Sequence, residues 1–430
     1  MKVEKILYSE AKDGTVEWFK RKYLDRDCKI LFESKSIESK SDSIDTMLSR
    51  TSLDGGKTWS EWKIDSDEGD KSRNQGAHVM ETVEQESVYN HVHGHFIKLS
   101  YQAIHIDGYR AASNKYWNEA SVWGRPLHGF VSVSKDTSNE STRLIKYEDG
   151  ADFDPDNWLI PEYIYRNYCI PVGNIVVLDD GDILTPVSVP IRKCCEMRGL
   201  DVNDVFPSRP DGEHGTIVLR GHFDGENYIF TPGRPVVISD VMSSRGIDEP
   251  VLIKLKSGRL ILINRGSNVR FNDGKDRIAP GTPGVKWYCV SDDGGKTFSD
   301  LMPWHYDDGE IIYSPASYAR LFSDEDTGKQ YFIGNITDHH IDGNFPRSTL
   351  AIVEIDANYG TAKKDTLTII DERQPNEPYK IQLSNFGYFK NKETGNLEID
   401  LTKIGQFYDE NDPSTTPFKG EAWRYEIELV

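Results

Sequence analysis

The chain has 430 residues, with 70 acidic against 51 basic side chains and a formal net charge of −19. An acidic surface without a basic stripe argues against nucleic acid and anionic membranes as partners. The opening MKVEKILYSEAKDG lacks a signal-peptide apolar run, no stretch is long enough to span a bilayer, and the five cysteines lack zinc-ligand spacing. The expectation is a cytoplasmic protein with reduced thiols, no cofactor and no metal.

Short alternating runs broken by Gly and Asp turns dominate, the pattern of strands. In chain order, KYLDRDCKILFES turns at Arg26-Asp27 (Asp13-Gly14 is a rival first turn), VYNHVHGHFIKLSY at Gly94 and NIVVLDDGDILTPV at Gly181. VLIKLKSGRLILIN turns at Gly258, RLFSDEDTGKQYFIGN at Gly328 and FGYFKNKETGNLEIDL at Gly395. Taken from Asp27, successive turns are 67, 87, 77, 70 and 67 residues apart. Each step fits one four-stranded blade with its loops. Six of them predict an all-β, six-bladed β-propeller over 1–430 as one domain, with WRYEIELV completing a blade.

Two further stretches nearly repeat each other. TSLDGGKTWSEW and VSDDGGKTFSDL share Ser52, Asp54, Gly56, Thr58 and Trp59 with Ser291, Asp293, Gly295, Thr297 and Phe298. Asp and Gly are what a tight turn wants. Their positions after the first and fourth inner turns predict outer hairpins, with each Asp bonding turn amides: a fold-holding role. Three long loops, 101–128, 191–215 and 266–286, are candidates for function. Trp117 and Trp123 in the first are placed to stack on sugar rings.

These boxes, the turn spacing and DEPVLIKLKSGRLILINRGSN (248–268) resemble the sialidase superfamily of six-bladed propellers with Asp-box repeats, over roughly residues 20 to 405. In that family a Glu opens the inner strand of blade 4, an L-x-x-G-x-L turn follows, and an Arg closes the next strand. Glu249 and Arg265 match that pattern. NIVVLDDGDILTPV resembles the family's third-blade strand pair, and YFIGNITDHHIDGNFPRSTLAIVEI its fifth-blade segment, which makes Arg347 a second substrate arginine. The resemblance implies a glycoside hydrolase acting on an acidic sugar. A physical argument agrees: both arms of a hairpin meet at its open end, so Glu249 and Arg265 should meet far from Gly258, near the propeller axis.

Two departures stand out. The family's Arg-Ile-Pro segment in blade 1 is missing; its place falls near Glu17, with Arg21 as a stand-in. The nucleophilic Tyr expected in IQLSNFGYF is replaced by Leu383 or Ser384, while Tyr388 reads as core. The acid/base Asp belongs on ESKSIESKSDSID, which offers Glu38, Asp42 and Asp45. Asp248 is a further acid candidate across the ring. Arg245 reaches either the same mouth or Asp248. Tyr318 is the better site candidate of the pair Tyr313 and Tyr318 flanking SPAS. His91, His93 and His95 alternate on one strand face, although Gly94 reads as the turn itself; His339 and His340 precede Arg347 on a mouth-side loop.

Three functions fit these residues. The first is an exo-acting glycoside hydrolase, with Arg265 and Arg347 holding an anionic group and Glu249 as base. The second is a lyase acting on a uronate, using His93 or His340, Tyr318 and Arg265. The third is a sugar-binding propeller without catalysis.

Overall fold

A computed structural model describes residues 1–39, 44–67, 77–84, 87–106, 127–135, 140–150, 161–271, 274–412 and 414–429. Asp42, Trp117 and Trp123 lie outside the described residues. The described strands form six antiparallel sheets, each one blade of a propeller. Blade 1 comprises Val16–Tyr23, Leu31–Glu38, Thr46–Ser52 and Lys63–Asp67. In blade 2, Ala77–Glu84 and Val88–Asn90 both pair with His95–Ile106, followed by Leu127–Ser134 and Glu140–Leu144. Blade 3 contains Val176–Val177, Ile183–Pro190, His214–Phe223 and Tyr228–Pro232. Blade 4 contains Asp248–Lys254, Leu260–Arg265, Lys286–Ser291 and Met302–Pro303. Ala319–Asp324, Lys329–Gly334, Thr349–Ile355 and Thr368–Glu372 make blade 5.

Blade 6 is built from both ends of the chain. Gly387–Lys390, Leu397–Thr402 and Ala422–Glu428 are joined by Lys2–Ser9 as the outermost strand. The C-terminal run thus completes a blade as expected, and the N-terminal strand pairs along it from Lys2↔Glu428 to Ser9↔Ala422. All six inner hairpins turn at the positions read from the sequence. The rival Asp13-Gly14 turn joins the N-terminal strand to blade 1 instead.

The cores lie between neighbouring blades. Ile97, Leu99 and Val131 pack with Val187 and Ile217 across blades 2 and 3. Val251 and Ile261 meet Leu321 and Phe332 across blades 4 and 5. Blades 5 and 6 share Ile333, Ile352, Leu397 and Tyr425. Ile183–Pro190 is buried along its whole length, which explains its nearly continuous apolar sequence. The segment 191–205, expected as loop, folds into two short helices, Ile191–Met197 and Val202–Val205, that bury Ile191, Cys195, Val202 and Phe206. Asp201 caps the second by accepting the Asn203 amide at 2.8 Å. All five cysteines are free, and burial pushes the thiols of Cys169 and Cys289 up to about 12.

The seam that closes the ring combines the Tyr23–Phe389 ring contact at 4.9 Å with a cluster of ion pairs. Arg21 of blade 1 pairs with Glu398 (2.6 Å) and Asp400 (3.2 Å) of blade 6. Arg424 binds Asp400 at 2.8 Å and Glu33 at 3.2 Å, and its guanidinium lies 3.8 Å from the Tyr8 ring centroid. Arg50 also reaches Glu33, which is fully buried. Arg21 was expected to bind an anionic ligand. Its guanidinium is instead committed to two carboxylates between blades and is only 5% exposed.

Both boxes close outer hairpins, between the third and fourth strands of blades 1 and 4. Each Asp accepts the amide of the Thr four residues on at 2.9 Å and its hydroxyl at 2.6 Å. The Ser hydroxyl donates to the Asp and accepts a Gly amide in both. Trp59 Nε1 donates to the Gly56 carbonyl at 3.0 Å. Each box grips the preceding blade: Lys57 pairs with Glu393, and Arg234 N–H donates to the Lys296 carbonyl. Gly295, at φ 85°, occupies a conformation that L side chains avoid, and a Cβ at Gly233 would lie 2.4 Å from its carbonyl.

These hydrogen bonds hold Asp54 and Asp293 at about 2, below the usual carboxylate range. A depressed carboxyl stabilises the fold above its unfolded value near 4, and that contribution disappears as pH falls through about 2. Asp54→Ala and Asp293→Ala should therefore lower the melting temperature between pH 5 and 8. The deficit relative to wild type should shrink below pH ~4. A deficit independent of pH would assign the effect to something other than the ionised carboxylate.

Candidate active site

The site begins with a break in register. On the inner strand of blade 4, Asp248 lies opposite Arg265, but the next aligned pair is Val251↔Ile263. Glu249 and Pro250 occupy the irregularity, and Glu249 has φ 44°, rare for a residue with a Cβ. Its amide, taken out of the ladder, donates to Asp248 Oδ1 at 2.8 Å and Ser188 Oγ at 3.2 Å. Its carboxylate Oε2 lies 2.8 Å from Arg265 Nη1. The two residues meet at the open end of the hairpin, as the strand argument requires.

Arg265 stands opposite Lys286 on the third strand, so Asp248, Arg265 and Lys286 form one row across the blade. Burial works against the charge on Arg265, and Glu249 and Asp248 more than offset it. Lys286 is only 1% exposed, and its Nζ donates to the Ser317 carbonyl. Burial, with Arg265 and Arg347 adding to it, pulls its ammonium down to about 7. Burial also opposes ionisation of Asp248. His214, whose Nδ1 lies 3.5 Å away, with Arg265 and Ser188 nevertheless holds that carboxyl well below its ordinary range.

Arg347 approaches from the loop before the third strand of blade 5. Its Nη1 donates to Gln382 Oε1 at 3.0 Å and Ser384 Oγ at 3.1 Å, and its Nη2 to the Ala316 carbonyl at 2.9 Å. Lys286 and Arg347 thus anchor successive carbonyls of one segment, Ser317 and Ala316. That segment leads into Tyr318, which is half-buried, edge-on to Phe386 at 5.6 Å and 4.4 Å from the Arg320 guanidinium. Leu383 is fully buried, so the hydroxyl in the IQLSN stretch is that of Ser384, already engaged by Arg347. Tyr388 packs in the blade 5–6 core.

Arg245 lies 3.8 Å from Glu213 rather than pairing with Asp248. Burial pushes Glu213 up to about 7, against the pull of Arg245 and His214. Neither Glu213 nor Lys286 belongs to a motif or turn signal in the sequence. Glu213 lies in the loop flagged at 191–215, beside His214 in DGEHG. Lys286 could have been found by counting back along its strand from Ser291 of the second box, which puts it at the mouth end.

Other sequence candidates lie elsewhere or act otherwise. His93 sits in the inner turn of blade 2, stacked 5.8 Å from His95 and 4.9 Å from Phe223, at the end of the hairpin away from the mouth. Its turn position, already visible as Gly94, decides this. Burial lowers His95 to about 4, and its Nε2 lies 2.9 Å from the Tyr228 hydroxyl. His340 is on a mouth-side loop, where its Nε2 lies 3.0 Å from the Thr282 carbonyl and 3.3 Å from Asp342. His339 pairs with Asp338 at 2.6 Å and is exposed.

A scan against protein-family models and a search of curated proteins return no match. Solved structures with this architecture include a protein of unknown function from Dyadobacter fermentans (TM-score 0.58, 12% identity, 99% of each chain). They also include the NanB sialidase from Streptococcus pneumoniae (TM-score 0.50, 11% identity, 96% of this chain and 68% of that one). A Hadza microbial sialidase aligns similarly (TM-score 0.51, 11% identity, 96% and 66%). The fold is a sialidase-like six-bladed propeller. At these identities the likeness speaks for the fold alone, and the chemistry of the mouth rests on its own residues.

Glu213 offers a direct check on the electrostatics of this mouth. Its folded value of about 7 lies above the unfolded value near 4.3, so the folded state holds a proton that the unfolded state has released. Its ionisation therefore destabilises the fold as pH rises between those values. Glu213→Gln should gain stability relative to wild type on going from pH 5 to pH 8, by on the order of 3 kcal/mol. A difference that stays flat with pH in chemical denaturation would show that Glu213 is not buried as described.

Proposed function

We propose that the protein is an exo-acting glycoside hydrolase that releases a terminal acidic sugar. One observation carries the reading: Glu249, on strained backbone, is ion-paired to Arg265 beside Lys286, whose surroundings also include Arg347. Arg265 and Arg347 bind the anionic group through their planar guanidinium forks. Substrate competes with Glu249 for Arg265, leaving that carboxylate to act as base on water, while Tyr318 packs against the core between blades 5 and 6. Glu213, which carries a proton near neutral pH, is the acid. Asp248 is held ionised by His214, so its role is to fix the Glu249 amide rather than to donate a proton. The sialidases that share the fold support a sugar substrate. His93 lies at the far end of its hairpin and His340 is engaged by the Thr282 carbonyl and Asp342, which weighs against the lyase.

The test is release of a terminal sugar from a panel of sialosides and uronides; cleavage of none would reject the proposal. Arg265→Lys keeps the charge but loses the fork. It should lower kcat/KM for substrates with the anionic group by roughly 10- to 100-fold and change a neutral analogue little. If the Glu249–Arg265 pair only holds blade 4 together, the variant will melt earlier with unchanged kinetics.

A further inference from the structure

Lys286 is a buried cation in a mouth that also holds Arg265 and Arg347. Lys286 faces Arg265 from the neighbouring strand, Glu249 from the inner strand and Arg347 from the blade 5 loop; its hydrogen bond goes to a neutral carbonyl, that of Ser317. Of these three charged neighbours only Glu249 attracts it, and Glu249 is already paired with Arg265. A lysine that is 1% exposed, opposite Arg265 in the ladder and hydrogen-bonded to a neutral carbonyl, has no ion-pair partner of its own among the described residues.

We propose that Lys286 is the buried counter-charge of the anion site, a positioning residue that takes a proton from solvent when an acidic sugar docks on Arg265 and Arg347. This rests on the reading of the mouth as the site of an acidic sugar. The physical cause is simple. In the free protein, burial and the two arginines disfavour the ammonium, which titrates at about 7. An anion bound between those arginines reverses the local field and favours it. The neutral amine gains one proton, and no bond to substrate forms. Because Lys286 is buried, with its Nζ on the Ser317 carbonyl, it acts on the anion through the field of the mouth. Each unit by which the bound anion raises its titration corresponds to about tenfold tighter binding at pH values where the lysine is charged in the complex and in the free protein.

The mouth thereby selects for charge in a pH-dependent way. Acidic sugars should bind more tightly below neutrality than well above it, and neutral sugars should show no such dependence. Glu213 titrates in the same range and lies beside Arg245, so its contribution has to be separated from that of Lys286.

The experiment is calorimetric binding of N-acetylneuraminic acid and of D-glucuronic acid in two buffers of different ionisation heat, near pH 7 and near pH 5. Wild type should take up a fraction of a proton per sugar near pH 7 and less near pH 5, where the lysine is already charged. Lys286→Met should lose that uptake and weaken binding of the acidic sugar by roughly tenfold, whereas Glu213→Gln should keep it. Binding of an acidic sugar without proton uptake, or equal affinity in the folded Met variant, overturns the role of Lys286 and leaves the acidic-sugar reading standing. If neither sugar binds wild type, that reading fails and this inference falls with it. Should the Met variant not fold, the Lys286 Cε resonance of wild type decides: its titration midpoint must rise when sugar binds, and an unmoved midpoint overturns the proposal.

Discussion

The mouth of this propeller depends on one register break, the bulge that lifts Glu249 out of the blade 4 ladder and sets its carboxylate on Arg265. A regular strand would direct Glu249 to one face of the sheet and pair its amide with the neighbouring strand. The bulge frees the amide, and Ser188 and Asp248 accept its hydrogen. Asp248 can do so as an anion because His214 and Arg265 lie against it. From Arg265 the row continues to Lys286, and from Lys286 through Ser317 to the segment that Arg347 also holds. The charges at the mouth thus form a linked set in which each position depends on the one before.

The rest of the molecule keeps that set in place. Apolar contacts join blades 2 to 6 in succession. Blade 6 meets blade 1 through ion pairs and the Tyr23–Phe389 ring contact, and carries the N-terminal strand as its outer edge. Pairing of the two chain ends within one blade ties the ring closed. The two boxes act at the opposite face, each tying a blade to the one before it. The fold-holding parts and the ionisable mouth therefore occupy different ends of the same strands.

Much of the fold was readable because it rests on local chemistry. Gly and Asp turns mark hairpins regardless of what packs around them, so Gly94, Gly181, Gly258, Gly328 and Gly395 located five inner turns directly. The Glu249–Arg265 meeting was also readable, since a hairpin fixes which ends come together. What was missed depends on contacts between distant segments. Arg21 looked like a ligand-binding arginine because its partners, Glu398 and Asp400, lie nearly 380 positions away. Glu213 and Lys286 gained their character from burial, which no local pattern displays. The helices at 191–205 are too short for a clear periodic signal, and His93 was drawn to the mouth by its chemistry although its turn placed it at the other end.

A crystal structure of the protein soaked with an acidic sugar tests the central claim most directly. The account predicts the anionic group within hydrogen-bond reach of both Arg265 and Arg347, with the Glu249 carboxylate displaced from its 2.8 Å contact with Arg265. A sugar bound elsewhere, with the Glu249–Arg265 pair intact, would contradict it.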